Sequence, residues 1–311
     1  MGGASALAAH RPVMVAEMLD YLRPRADGWY LDGTVGEGGH TEAILEASAP
    51  TGRVIGLDRD PQALAVARER LTGYASRCLL FHGDYRDSTE RLSTLGVAAL
   101  DGILIDLGVS SHQLDQPQRG FSFRAEAGLD MRFDPSDGES AADLVAHCSE
   151  DDLSRWLREY GEERWARRIA RAIVRHRERE PILTTTQLAS VVTRAVPPSA
   201  RHGRIHPATR TFQALRIAVN HELDGLGEAL ERLAFRLAPG GRFCVLTYHS
   251  LEDRVVKHRF RAMAEASRHG TDSRLTVLTR RPLRPGPQEI EANPRARSAK
   301  LRVLERAGVE P

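Results

Sequence analysis

Cysteine is scarce in this 311-residue chain. Cys78, Cys148 and Cys244 are widely separated, and two of them fall in apolar strand-like runs, Cys78-Leu79-Leu80-Phe81 and Phe243-Cys244-Val245-Leu246. They form no disulfide framework, so buried free thiols in a reducing compartment are expected. No Cys/His spacing resembles a zinc site, and no metal is expected. Long apolar runs are missing as well, none approaching the ~20 residues that would span a bilayer. Residues 1–9 lack the charged region and long apolar core of a signal peptide. A cytoplasmic protein with a flexible start and no membrane partner is the expectation. Nor does charge of one sign prevail: a formal net charge of +2 excludes a global electrostatic pull toward nucleic acid but leaves local basic patches open. Lysine is nearly absent, at Lys257 and Lys300 only, so almost every cation is arginine. A bias this uniform reflects composition more than function.

Glycine, by contrast, is concentrated where it carries meaning. A short apolar strand, Trp29 to Leu31, leads into Asp32-Gly33-Thr34-Val35-Gly36-Glu37-Gly38-Gly39-His40, and a second strand ends at Asp58 in Val54-Ile55-Gly56-Leu57-Asp58. A loop with few side chains lets backbone N–H groups approach a ligand at the start of a helix. An acid at the end of the second strand sits where a carboxylate accepts hydrogen bonds from ribose hydroxyls in doubly wound folds. The pattern therefore predicts an adenosine-containing cofactor. Thr41 stands where a dinucleotide fingerprint needs its third glycine, which counts against NAD. No Gly-Lys-Ser/Thr follows, which disfavours an ATP loop. Asp32-x-Thr34-x-Gly36-x-Gly38 matches the Asp-x-Gly-x-Gly-x-Gly pattern of methyltransferases that bind S-adenosyl-L-methionine, with threonine in place of the first glycine. A glycine-rich turn with no ligand remains the plain alternative.

Strand and helix signals alternate from Trp29 to Asp106: strands at 29–32, 53–58, 78–82 and 100–106, helices at 40–47 and 61–71. Alternation of this kind predicts a parallel sheet with crossover helices. Asp32, Asp58, Asp84 and Asp106 each lie at or just past a strand end, where open sheets bind ligands, so four acids are predicted to ring one cleft. After Ser111 the pattern stops. Residues 112–206 show a polar stretch and then helices, one capped by Ser149, one around Trp165, Ile169 and Ile173 with arginines on its other faces, and one after Thr184. An apolar stripe from Phe212 to Leu237 predicts one long helix before the strand Arg242 to Tyr248. Runs at 275–279 and 299–305 suggest a closing antiparallel pair. The fold class predicted is α/β: a class I, Rossmann-like methyltransferase sheet formed by residues 10–111 and 207–311, with an inserted all-helical domain at 112–206.

Several segments, in order from His10 to Arg306, carry a resemblance. They are the glycine loop, Asp106-Leu-Gly-Val-Ser-Ser111, Arg119-Gly-Phe-Ser-Phe123, Leu129-Asp-Met-Arg132, Tyr160-Gly-Glu-Glu163, His206-Pro-Ala-Thr-Arg-Thr-Phe-Gln213, His249-Ser-Leu-Glu-Asp-Arg254 and Asn293-Pro-Arg-Ala-Arg297. Together they resemble the RsmH (MraW) family. That resemblance implies an S-adenosylmethionine-dependent methyltransferase acting on N4 of a cytidine in the decoding region, the P site, of 16S ribosomal RNA, with the small ribosomal subunit as partner. It also implies cofactor contacts at Gly38, Gly39, His40, Asp58, Tyr85, Asp106 and Gln113, Tyr85 standing where the family usually has phenylalanine. Asp106, Ser110, Ser111 and His249 are candidates for assisting methyl transfer, while Ser250 is a candidate helix cap. Phe121, Phe123, Arg124, Arg132 and the arginines of 201–210 are candidates for receiving a splayed base, with local packing as the alternative for the two phenylalanines. The inserted domain is the candidate for substrate recognition. A nicotinamide-dependent oxidoreductase and a catalytically silent RNA-binding assembly factor are the competing readings, and the sequence leaves monomer and homodimer open.

Overall fold

Strands form at Trp29–Asp32 (β1), Arg53–Asp58 (β2), Cys78–His82 (β3), Leu100–Asp106 (β4), Leu237–Thr247 (β5), Leu275–Val277 (β6) and Lys300–Arg306 (β7). They make one sheet in the order β3-β2-β1-β4-β5-β7-β6. The first five are parallel, and β7 runs antiparallel to both β5 and β6. The computed structural model describes residues 12–201, 203, 205–267 and 275–308, the side chains of Ser111 and His112 excepted. Residues 1–9, expected to be flexible, lie outside the described residues.

The central strands are near-continuous apolar runs because both faces are covered; Val54, Ile55, Ile103, Leu104 and Ile105 are fully buried. Local chemistry sets the crossover helices. Asp60 caps Pro61–Arg70 by accepting from Gln62 N–H at 2.9 Å and Ala63 N–H at 3.4 Å, while Pro61 occupies the first turn, where no N–H is needed. Strand order reverses between β1 and β4, and this is the point at which sheets of this class open a ligand crevice beyond their carboxyl ends. Asp32 and Asp106 end the two strands that flank it.

The chain divides into two compact units, one made of the residues through Gly108 together with Gly225 onward, the other of Val109–Asp224. No strand is assigned to the described residues of the second unit, whose helices include Glu150–Glu159, Ala166–Arg177, Thr185–Ala195 and Ala208–Asn220. Leu153, Leu157, Ile169, Ile173, Leu188, Val192 and Leu215 are fully buried in its core. Ser149 caps the first of these helices by accepting from Asp152 N–H at 3.0 Å, and Thr184 forms a capping box with Gln187.

Three expectations need correction. The stripe from Phe212 to Leu237 is not one helix: Ala208–Asn220 ends at left-handed His221 (φ 52°), and Leu226–Ala234 begins after left-handed Gly225 (φ 65°). The stripe is continuous in sequence but serves two cores, Phe212 and Leu215 in the helical unit, Leu226, Leu230 and Leu233 in the sheet unit. The units therefore part after Asp224, not at 206, and before Val109, so Ser110 and Ser111 fall in the helical unit. In addition, β5 begins at Leu237, upstream of Arg242, and takes Pro239-Gly240-Gly241 in as an irregularity where its register with β4 shifts. No helix among the described residues is long and apolar enough to cross a membrane.

Candidate functional site

The site is built on the loop between β1 and the helix Gly39–Ala47. Gly36 (φ 53°) and Gly38 (φ 85°) take left-handed backbone, and Gly38 is the residue that caps the helix. A side chain at Gly38 would be strained and would press Leu71 from 3.1 Å. Strand-end acids pin the loop. Asp32 accepts from Thr34 N–H at 3.1 Å and Thr41 Oγ1–H at 2.6 Å. Asp58 accepts from Gly36 N–H at 2.7 Å on one oxygen and from Asp60 N–H at 2.8 Å on the other. Each Asp58 oxygen is thus oriented by one main-chain donor and keeps a second lone pair for another. Burial, opposed by those two bonds, pushes the Asp58 carboxyl up to about 6.

Across the β1/β4 switch point lies a second group. Asp106 accepts from Tyr248 O–H at 2.8 Å, and its own N–H donates to Thr34 Oγ1 at 2.6 Å. Thr34 therefore uses the hydroxyl that a glycine at this motif position would lack. His40 is buried, with Nε2 2.9 Å from Val13 O and Nδ1 3.6 Å from Asp106 Oδ2. A carbonyl can only accept, so Nε2 carries the proton and the Nδ1 lone pair faces Asp106. Burial lowers the His40 pKa, keeping the ring neutral, and raises that of Asp32. Asp106 retains 23% side-chain exposure, yet its surroundings push it up to about 7, burial being the largest cause and Glu252 adding to it. Near neutral pH its carboxyl is shared between an accepting and a donating form.

The remaining predicted residues have more structural roles. Tyr85 is buried, its ring lying under the Arg86 guanidinium at 5.8 Å. A Cβ on Gly39 would fall 2.3 Å from Pro12 Cγ, so close packing alone already requires glycine there. His249, rather than Ser250, caps the helix Ser250–Ala266: its Nδ1 accepts from Glu252 N–H at 3.4 Å, and its Nε2 lies 3.0 Å from Glu252 Oε1. The cap therefore takes Nδ1, whereas Nε2, though close to Glu252 Oε1, is buried without a hydrogen bond among the described residues. In the helical unit Ser110 and Gln113 bond reciprocally, Ser110 N–H to Gln113 Oε1 at 3.0 Å and Gln113 N–H to Ser110 Oγ at 3.2 Å. Ser111 starts the short helix there, its side chain outside the description. Phe123 packs on His206 and Phe212 at 4.7 and 4.8 Å, Phe121 on Phe133 at 5.9 Å, and Arg132 clamps Asp130, so these three are spoken for within their unit. Sequence reading missed Thr34, Tyr248 and Glu252. Tyr248 follows the last residue of β5, as Asp106 ends β4, and that strand-end position is the signal that would have found it.

With the geometry in place, the profile of the MraW methylase family matches residues 7–307. The chain belongs to that family. It is 51% identical over 307 residues to the ribosomal RNA small subunit methyltransferase H of Pelobacter propionicus, covering 96% of this chain and 98% of that one. To the protein of the same name in Geobacter sulfurreducens it is 52% identical over 307 residues, covering 96% and 99%. A solved rRNA methylase from Streptococcus thermophilus aligns over 96% of this chain and 99% of that one at 13% identity and TM-score 0.44, which adds nothing to the assignment. This MraW methylase family member has the class I methyltransferase sheet and uses S-adenosyl-L-methionine, so the nicotinamide reading falls. The residues present suit that cofactor: Asp58 is held with acceptor capacity to spare for a ribose, beside a loop whose glycines leave the backbone bare.

Proposed function

We propose that this chain methylates N4 of a cytidine in the decoding region of 16S rRNA, at the P site, acting in the cytoplasm on the small ribosomal subunit. The observation that carries this reading is kinship over nearly the whole chain to proteins named for methylation of small-subunit ribosomal RNA. In the proposed roles Asp58 accepts the ribose hydroxyls, Gly38, Gly39 and His40 shape the loop around the cofactor, Tyr85 supplies an apolar wall for the adenine, and Gln113 completes the cofactor contacts. S-adenosylmethionine supplies an electrophilic methyl group on a sulfonium.

Asp106, oriented by Tyr248 and Thr34, holds the methionine ammonium as an ionised acceptor. The cytidine amine presents a different problem, because its lone pair is delocalised into the ring. A hydrogen bond from one amine N–H to an acceptor localises that pair, and orientation supplies much of the acceleration. Ser110 and Ser111 are proposed for this orienting role. His249 stays a candidate for assisting the transfer only through Nε2, since Nδ1 is taken by the helix cap. The helical unit is proposed to recognise the RNA.

Mapping the methyl group tests the proposal. Small subunits incubated with the protein and labelled cofactor, digested to nucleosides and analysed by mass spectrometry, are expected to yield N4-methylcytidine from the decoding region. Recovery of unmodified cytidine alone, under conditions where calorimetry shows cofactor binding, would leave the silent assembly factor as the better reading.

A further inference from the structure

The helical unit holds an open groove of about 380 Å³ between the helices Ala166–Arg177 and Thr185–Ala195. Ala172, Val191 and Ala195 line it with apolar surface, and His176, Arg179 and Arg194 are its polar lining. None of its lining residues is acidic. Arg179 and Arg194 are exposed and have no carboxylate partner among the described residues. Arg179 belongs to the turn that closes the first helix, its N–H donating to His176 O at 3.0 Å.

The groove is the end of a longer feature. Arg168, Arg175 and Arg179 recur at steps of seven and four, so they fall on one side of the helix and its closing turn. Arg168 and Arg175 are likewise exposed and without an ion pair among the described residues. Most other arginines of the unit are occupied: Arg132 by Asp130, Arg155 by Asp152, Arg216 by Glu222, and Arg119 by the carbonyls of Arg132 and Phe133. Free arginines cost nothing when solvated, but a stripe of them beside a cationic groove makes a local field that the near-neutral whole does not have.

From this placement we infer that the groove and the arginine stripe form a docking site for the sugar–phosphate backbone of an RNA strand. Guanidinium groups grip phosphates with paired donors, and the small apolar floor has room for one ribose or base face between them. Charge complementarity selects a polyanion as the occupant, because Arg179 and Arg194 line the groove and nothing in the lining offers a carboxylate to a cation. Contacts of this kind to phosphate and sugar contribute affinity and register. The inference rests on the proposed action on ribosomal RNA, whose substrate contact it specifies.

The test is a titration of the full-length protein with a fluorescent 16S rRNA fragment carrying the decoding region, at several salt concentrations, for the wild type and for Arg179→Ala/Arg194→Ala. Losing two phosphate contacts is expected to weaken binding about tenfold and to flatten the log–log salt slope by about 1.5. Arg179→Lys/Arg194→Lys should recover most of the slope, and Arg155→Ala, which removes a cation already paired with Asp152, should change neither quantity. Calorimetry with S-adenosylmethionine and a thermal melt establish that each variant is folded. If the double alanine variant keeps the wild-type affinity and slope while the wild type binds and methylates the RNA, the groove is overturned and the methyltransferase reading stands. If the wild type neither binds nor methylates the fragment or the small subunit, that reading fails and takes the groove with it.

Discussion

The carboxylates that end β1, β2 and β4 and carboxylates in the helical unit live under opposite rules; Asp84, two residues past β3, is paired with Arg59 and Arg86. Asp32, Asp58 and Asp106 finish parallel strands with no arginine or lysine ion pair among the described residues, and burial raises the pKa of each. Asp130, Asp143 and Asp152 shift the other way. Burial of Asp130 is outweighed by Arg132, whose Nε and Nη2 donate to it at 2.9 and 2.7 Å. The Ser140 hydroxyl lowers Asp143, and Arg155 followed by Ser149 lowers Asp152. The division belongs to place and not simply to unit, since Asp253 in the sheet unit is lowered where Arg302 and Lys300 outweigh its burial. A lowered acid is one whose charge the fold uses for its own stability. A raised acid is one whose charge the fold tolerates; Asp32 spends its oxygens on Thr34 and Thr41, whereas Asp58 and Asp106 keep capacity for a partner from outside.

The sharpest way to break this contrast is at Asp58. Two charge-assisted hydrogen bonds to a ribose are together worth about 3 kcal/mol, so Asp58→Asn should raise the S-adenosylmethionine Kd roughly 100-fold by calorimetry. The wild type should mimic that loss in acid. With the carboxyl titrating at about 6, affinity is constant above that pH and falls below it as the acceptor is protonated. A Kd that ignores both the substitution and the pH would remove Asp58 from the site.

A second, smaller effect concerns stability, and its sign separates a functional acid from a structural one. The folded Asp106 titrates at about 7 against an ordinary value of 3.8, so between those limits the folded state binds the extra proton. Its contribution favours folding at low pH and becomes a cost as pH rises toward 7. Asp106→Asn should therefore stabilise the cofactor-free protein at pH 8 by about 2 kcal/mol in urea melts, change little at pH 4, and abolish methyl transfer. A variant that is destabilised at pH 8 would mean that Asp106 serves the fold and that its strand-end position has misled us.

The centre of the sheet was readable from sequence because burial on both faces leaves apolar runs in β1, β2, β4 and the second half of β5, whereas the edge strands β3 and β6 are only partly buried. Strand-end acids were readable for the complementary reason: a carboxylate that closes an apolar run needs a partner, and the glycine loop supplies one at Gly36 N–H. What hid the break at His221 to Gly225 is that helical periodicity runs through it with little disturbance; only the left-handed backbone shows where one core hands over to the other. His249 hid its role differently. Histidine is an uncommon cap, so the neighbouring serine drew the prediction, although Glu252 three residues on was the capping-box signal. Tyr248 was legible only as a strand-end residue; its pairing with Asp106 was not, because the two are far apart in the chain and meet only when β5 pairs with β4.

The smallest effect lies on the other side of the contrast, at Asp130. Its pKa is lowered, so its charge contributes stability above the unfolded value and loses it as pH falls through the folded one. With 27% of its side chain exposed, solvent screens the pair with Arg132, and Asp130→Asn should cost about 1 kcal/mol at pH 7. That cost should fade as pH falls below about 4, where the unfolded chain takes up the proton, and vanish once the pH is below the lowered pKa of the folded carboxyl. Arg132 also donates to Gly138 O at 3.2 Å, so the loop keeps one anchor when the carboxylate is lost. Cofactor affinity should not move at all. Opposite signs for Asp106→Asn and Asp130→Asn in the same pH 8 urea series, one gaining and one losing stability, are the signature that these acids are held for different purposes; equal signs would dissolve the distinction.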